Sequence, residues 1–188
     1  MSSQKPKKKK GNSVGIYMKN VITRKIQLPF TSIGENIKEN IEECLRLQIE
    51  GRCIDEGYIK PHSIKIISYS AGVVSGNNVI FDILLECLVC RPVEGMRFRA
   101  IVKNTTKAGV RAEINEVKSP VVVFIARDHH YKSTDFANLK EGDDINVRVI
   151  GIRYELNDEY ISIIGELVVK KKGKVAYKPK IVIGKNEI

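Results

Sequence analysis

The side chains best placed for chemistry in this sequence are basic and aromatic, not nucleophilic. Arg97, Arg99, Lys103, Lys107 and Arg111 crowd into one short stretch, and Phe124, His129 and Tyr131 follow. Cationic groups track phosphates while a ring or guanidinium plane stacks on a base, which is how single-stranded nucleic acid is held without sequence readout. The same residues would serve equally as a solvated outer face, with Phe124 covered by the loop that follows it. Other constellations fail on spacing. Cys87-Leu-Val-Cys90 is formally a CxxC, but it lies in a strand pattern, where residues three apart point to opposite faces. Cys44 and Cys53 are too far apart to supply the second pair of a zinc site. His129 and His130 are adjacent, the remaining histidine is the distant His62, and Asp143-Asp144 would point apart on a strand. There is no phosphate loop, nucleophile elbow or zinc-protease helix. The reading is of a binding protein with no catalytic residue, no metal and no cofactor.

The net charge of +10 in 188 residues points the same way until it is located. Residues 1–10 carry five lysines and residues 170–188 carry seven against one glutamate, so the tails account for the whole excess and the chain between them is near neutral. Lysine-rich segments with little apolar surface are expected to be disordered. The lack of a secretory signal and of a disulfide framework leads to the expectation of an intracellular protein with reduced thiols. No apolar run reaches the roughly 20 residues needed to span a bilayer, so no membrane partner is expected.

The elements that must position these side chains fall into two groups. Residues 15–18 and 21–28 read as one long or two short strands stopped by Pro29. Ser32-Ile-Gly-Glu35 has the form of a capping box, and Ile33, Ile37, Ile41, Cys44 and Leu45 recur at helical spacing, predicting a helix over 33–49 ended by Gly51. Strands over 52–58, 62–70 and 78–90 complete an α+β module, a helix on a small antiparallel sheet. The second group is all β: strands over 95–105, 108–115, 120–126, 143–154 and 158–168 suit a five-stranded closed barrel. In the first of them Met96, Phe98, Ala100 and Val102 alternate with Arg97, Arg99, Ile101 and Lys103, so one face is apolar and the other largely basic.

Taken with the join at Arg91-Pro92-Val93-Glu94-Gly95 and with Gly51-Arg-Cys53, Tyr58-Ile-Lys-Pro61 and Ser70-Ala-Gly72, this pattern resembles the seventh-largest subunit of RNA polymerase II and the archaeal E subunit over residues 13–169. The resemblance leaves open a homologue from a large DNA virus. It implies a truncated RNP-like domain over 13–92 and an S-one type oligonucleotide-binding (OB) domain over 93–169, flanked by tails at 1–12 and 170–188. It implies a non-catalytic stalk subunit of a multisubunit RNA polymerase, whose partners are the large subunits, a fourth-subunit-like chain and nascent single-stranded RNA. Ser70, Ala71, Gly72, Val73 and Val74 would be the tip that docks on the polymerase core. It implies a nuclear location or, for a virus, a cytoplasmic factory and the virion. The chain departs from the family's RNA-binding pattern on the second barrel strand, where Val110-Arg111-Ala112 replaces the usual aromatic. Ala126 stands where a histidine is common on the third. A free RNA-binding protein of translation or decay is the competing reading of an S-one barrel.

Overall fold

The computed structural model describes residues 15–130 and 134–168. Its N-terminal half is organised by two long strands, β1 (Tyr17–Pro29) and β6 (Asn78–Cys90). They pair antiparallel from Tyr17 opposite Cys90 to Pro29 opposite Asn78. Alternation then decides the core: Ile22, Ile26 and Leu28 from β1 and Val79, Phe81, Ile83, Leu85, Cys87 and Val89 from β6 are buried on one face. Helix α1 (Ile37–Ile49) covers that face with Ile41, Leu45 and Ile49. Each of these aliphatic side chains contributes about 1.5–3 kcal/mol relative to leaving it in water.

Between α1 and β6 the chain makes four short strands, β2 (Cys53–Ile54), β3 (Gly57–Ile59), β4 (Lys65–Tyr69) and β5 (Val73–Ser75). β3, β4 and β5 each add to a different stretch of β6, and β2 pairs with β3. The strand expected over 52–58 is therefore a small hairpin, because the chain turns at Asp55-Glu56, and β5 is an element the sequence reading missed. The helix also starts later than expected. Its N-cap is Asn36, which makes no side-chain capping bond, and Ser32 lies in a 3-10 turn over Phe30–Ser32. Asn40 Nδ2 instead donates to the Ser32 carbonyl at 2.8 Å, so a reach from inside the helix replaces the capping box.

The second half is a closed five-stranded barrel of β7 (Arg97–Thr105), β8 (Gly109–Glu113), β9 (Val121–Ala126), β10 (Asp144–Arg153) and β11 (Ile161–Leu167). Around the barrel the order is β7-β8-β9-β11-β10 and back to β7, with β9 and β11 parallel and the other pairs antiparallel. This is the OB arrangement, so the architecture is an α+β module followed by an OB barrel. The alternation in β7 holds: Phe98, Ala100 and Val102 are buried inside while Arg97, Arg99 and Lys103 are exposed. Gly109 opens β8 where a Cβ would sit 2.2 Å from the Ile125 carbonyl oxygen, so no larger residue fits without moving the β9 backbone.

The halves share an apolar joint. Cys53, Tyr58 and Cys90 pack into the barrel's core cluster, not the cluster under α1. Backbone bonds from Cys53 N–H to the Asp158 carbonyl (2.8 Å) and from Asn157 N–H to the Cys53 carbonyl (2.9 Å) fasten β2 to the β10–β11 turn. Cys87 and Cys90 thus end in different cores, and burial pushes their thiols up to about 11 and about 12. No helix among the described residues is long and apolar enough to cross a membrane.

Candidate nucleic-acid interface

The outer face of β8, β9 and β11 carries a row of side chains set by register. Asn104 pairs with Arg111, Arg111 with Phe124 and Phe124 with Ile164. Residues directly opposite on neighbouring strands project from the same face, so Arg111, Phe124 and Ile164 stand side by side. Phe124 is 45% exposed and Ile164 55%. The phenyl ring and the isoleucine beside it form an exposed apolar patch on a sheet whose other side fills the core. These residues line an open groove of about 440 Å³, bounded at one end by Gly109 and Ala126, paired across β8 and β9, together with Thr106, Ala108 and His129.

The groove holds a ring, a guanidinium plane and an imidazole within one concavity. Arg111 Nη2 donates to Glu113 Oε1 at 2.9 Å, which fixes its guanidinium and offsets part of its charge. Arg127 Nη2 donates to the Thr106 carbonyl at 3.2 Å, bringing a further guanidinium to the groove's end. Lys107 is exposed in the β7–β8 turn, and Lys103 is exposed where the β7–β8 register shifts between Val102 and Asn104. Such a site can stack bases on Phe124 and Arg111 while cations at its rim follow the phosphates.

Of the residues singled out in the sequence, Arg111, Phe124 and His129 line this groove, with Lys103 and Lys107 on its β7 side. Arg97 and Arg99 do not belong to it. The first half of β7, residues 97–101, pairs with β10, and only the second half pairs with β8. The two arginines therefore stand beside Arg148 and Asn146, across the barrel surface from the β8–β9 edge. Tyr131 lies outside the described residues. Sequence reasoning missed Ile164, whose place beside Phe124 follows only from the parallel pairing of β9 and β11.

His130, next to His129, is buried and has a different task. It ends the 3-10 turn Arg127–His129, and its ring stacks on Phe136 of the short helix α2 (Thr134–Ala137), with centroids 5.1 Å apart. The Leu167 N–H donates to the His130 Nε2 at 3.0 Å, which ties this turn to the end of β11.

At the far end of the N-terminal sheet, Ser70, Ala71 and Gly72 lead into β5 and are exposed. Ser70 is tied to β6 through its N–H to the Asp82 carbonyl (2.9 Å) and from the Asp82 N–H to its Oγ (3.0 Å). Gly72 lies so close to β6 that a Cβ would meet Val79 Cγ1 at 2.4 Å and the Phe81 ring at 2.9 Å. Val73 and Val74 are 64% and 65% exposed, and Phe30, whose N–H donates to the Asn77 carbonyl at 3.4 Å, adds a half-exposed ring at the same end.

Comparison with known proteins gives this geometry a context. No family model matches the chain. It is 25% identical over 170 residues, 81% of its own length and 82% of the relative's, to a protein of Acanthamoeba polyphaga mimivirus named as a DNA-directed RNA polymerase subunit. It is 23% identical over 171 residues, 78% of its length and 95% of theirs, to DNA-directed RNA polymerase II subunit 7 of Arabidopsis thaliana and to the corresponding subunit of Glycine max. The resemblance read from the sequence, to the seventh subunit and to its viral counterparts, is thus shown by relatives that match over most of both chains.

Proposed function

We propose that this chain is a non-catalytic stalk subunit of a multisubunit DNA-dependent RNA polymerase. In this reading residues 13–92 form the docking domain and residues 93–169 the RNA-contacting domain. Ser70, Ala71, Gly72, Val73 and Val74 dock near the clamp, where the close seat of Gly72 on β6 and the two exposed valines supply backbone approach and apolar contact. The barrel takes nascent single-stranded RNA, and a fourth-subunit-like chain completes the stalk. Bond formation would belong to the large subunits. The chain would act wherever that polymerase acts: in the nucleus, or in a viral cytoplasmic factory and virion.

One observation carries the RNA part: exposed Phe124 beside Arg111 in an open groove on an otherwise neutral barrel. A barrel with so little net charge binds RNA weakly by itself. Attached to a polymerase it meets the transcript at high effective concentration, and weak intrinsic affinity becomes sufficient.

The test is affinity capture of the tagged full chain from its native source, washed at high salt with nuclease. Retention of the large polymerase subunits is the expected result, followed by transcript crosslinking at Phe124 and Lys103. Recovery of ribosomal or decay proteins, or of nothing once RNA is digested, would favour a free RNA-binding protein instead.

A further inference from the structure

Arg97 and Arg148 face each other directly across β7 and β10, and Arg99 stands two residues along the same face, opposite Asn146. Like charges placed opposite on neighbouring strands destabilise a sheet, and nothing in the barrel's packing requires them, since all three arginines are exposed. Only Arg148 is balanced: its Nε and Nη2 both donate to Glu166 Oε2, its partner on β11. Arg97 and Arg99 have no carboxylate within ion-pair range among the described residues. The patch keeps an excess of positive charge on a chain whose folded part is otherwise near neutral.

Its position relates it to the groove. On β11, Ile164 at the groove's edge and Glu166 lie on one face two residues apart, about 7 Å along the strand. From Glu166 the row continues through Arg148 to Arg97 over two strand spacings, about 10 Å. A path therefore runs over the barrel from Phe124 past Ile164 to Arg148, Arg97 and Arg99. Asp144, opposite Ile101, sets its far limit with a negative charge. The chain itself leaves β11 at this edge, where the Val168 N–H donates to the Asn146 carbonyl at 2.8 Å, and the sequence runs on to Lys170-Lys171-Lys172.

We propose that Arg97, Arg99 and Arg148 form a second, phosphate-tracking strip for RNA, separate from the stacking groove and reached by the same strand after it crosses Ile164. The assignment rests on the RNA reading of the groove. The groove holds bases by stacking, and the strip holds only backbone. Short RNA is retained by the groove alone, and longer RNA also engages the strip.

The experiment measures binding of oligouridine of about 5 and about 16 nucleotides, the range of OB site sizes, to the full chain across a salt series. Three variants are compared with the parent: Arg111→Ala/Phe124→Ala, Arg97→Ala/Arg99→Ala and Arg97→Lys/Arg99→Lys. Both lysine tails are present throughout, so differences report the barrel. The strip alanine variant is expected to bind the short RNA unchanged. For the long RNA it should lose about 1.4 from the salt slope, since each lost phosphate contact removes about 0.7, and the lysine variant should keep that slope. The groove variant should weaken both lengths. Loss in the groove variant with no change in the strip variant at either length refutes the strip and leaves the groove standing. Weakening of the short RNA by the strip variant refutes the separation of the two sites. No change in either alanine variant refutes the RNA reading itself, and the strip with it.

Discussion

The imidazole of His130 accepts the backbone N–H of Leu167 at its Nε2, 3.0 Å away, and its Nδ1 lies 3.1 Å from the Ala126 carbonyl oxygen. A carbonyl can only accept, so Nδ1 carries the proton and the ring is neutral, clamped between the end of β9 and the end of β11. Replacing His130 with alanine removes both bonds and the stacking on Phe136. It should destabilise the chain by about 1–3 kcal/mol, the cost of leaving partly buried groups without partners. His129→Ala, one residue away but exposed, should stay within about 0.5 kcal/mol. Urea unfolding of the two variants decides the matter: equal midpoints would remove His130 from the support of this turn.

Phe124 and Arg111 should separate binding from folding. Phe124→Ala deletes an exposed ring and is expected to leave the unfolding midpoint nearly unchanged while weakening oligouridine by about 1–3 kcal/mol, the usual worth of one base on an aromatic platform. Arg111→Lys keeps the charge but not the plane, and should lose more affinity than a phosphate contact alone would predict. Fluorescence anisotropy beside a thermal melt reads both quantities. A Phe124→Ala protein with full affinity would place the RNA elsewhere.

Much of this could be read from the chain, and the exceptions share a cause. Alternation in residues 97–103 predicted which β7 side chains enter the core, because period 2 is a local property. It could not show that β7 changes partners at Ile101, and so it put Arg97 and Arg99 in one site with Arg111. Arg148 and Ile164 went unnoticed for the same reason: each is an ordinary outward strand residue until barrel closure brings it beside Arg97 or Phe124. The helix start failed differently. Ser32 and Glu35 had capping-box spacing, but Asn40 already used the Ser32 carbonyl, and the turn through Gly34 delayed the helix to Ile37. His129 and His130 looked equivalent in sequence, yet only the fold sends one to the groove and the other against Phe136.

The tip offers a contrast between Gly72 and the valines after it. Gly72→Val would drive a side chain into Val79 and Phe81, and overpacking of this kind costs about 1–3 kcal/mol. Val73→Ser with Val74→Ser touches exposed surface and should leave stability within about 0.5 kcal/mol. If the tip docks on polymerase, both changes reduce co-purification of the large subunits, but only the first lowers the urea midpoint. Undiminished capture with the double serine variant would place the docking surface elsewhere on the chain.

The joint between sheet and barrel should respond to alkali. Burial, and secondarily nearby Asp158, pushes the Cys53 thiol up to about 12; burial, then Glu116 and Cys53, does the same for Cys90. The Tyr58 phenol is likewise raised to about 12, chiefly by burial, and its oxygen has no hydrogen-bond partner among the described residues. In the unfolded chain the thiols ionise near pH 9 and the phenol near 10. The folded state therefore holds protons that the unfolded state has lost. Their contribution is complete below pH 9 and declines as pH rises from 9 towards 12. Urea midpoints should thus fall steadily over that window, and Cys53→Ala, although less stable at neutral pH, should show a shallower fall than the parent. A midpoint that stays flat to pH 11, or a Cys53→Ala slope equal to the parent's, would mean that the joint admits water and that these groups ionise in place. Thiol labelling in native buffer gives the independent check, with the half-buried Cys44 reacting first and the buried Cys53, Cys87 and Cys90 only on unfolding.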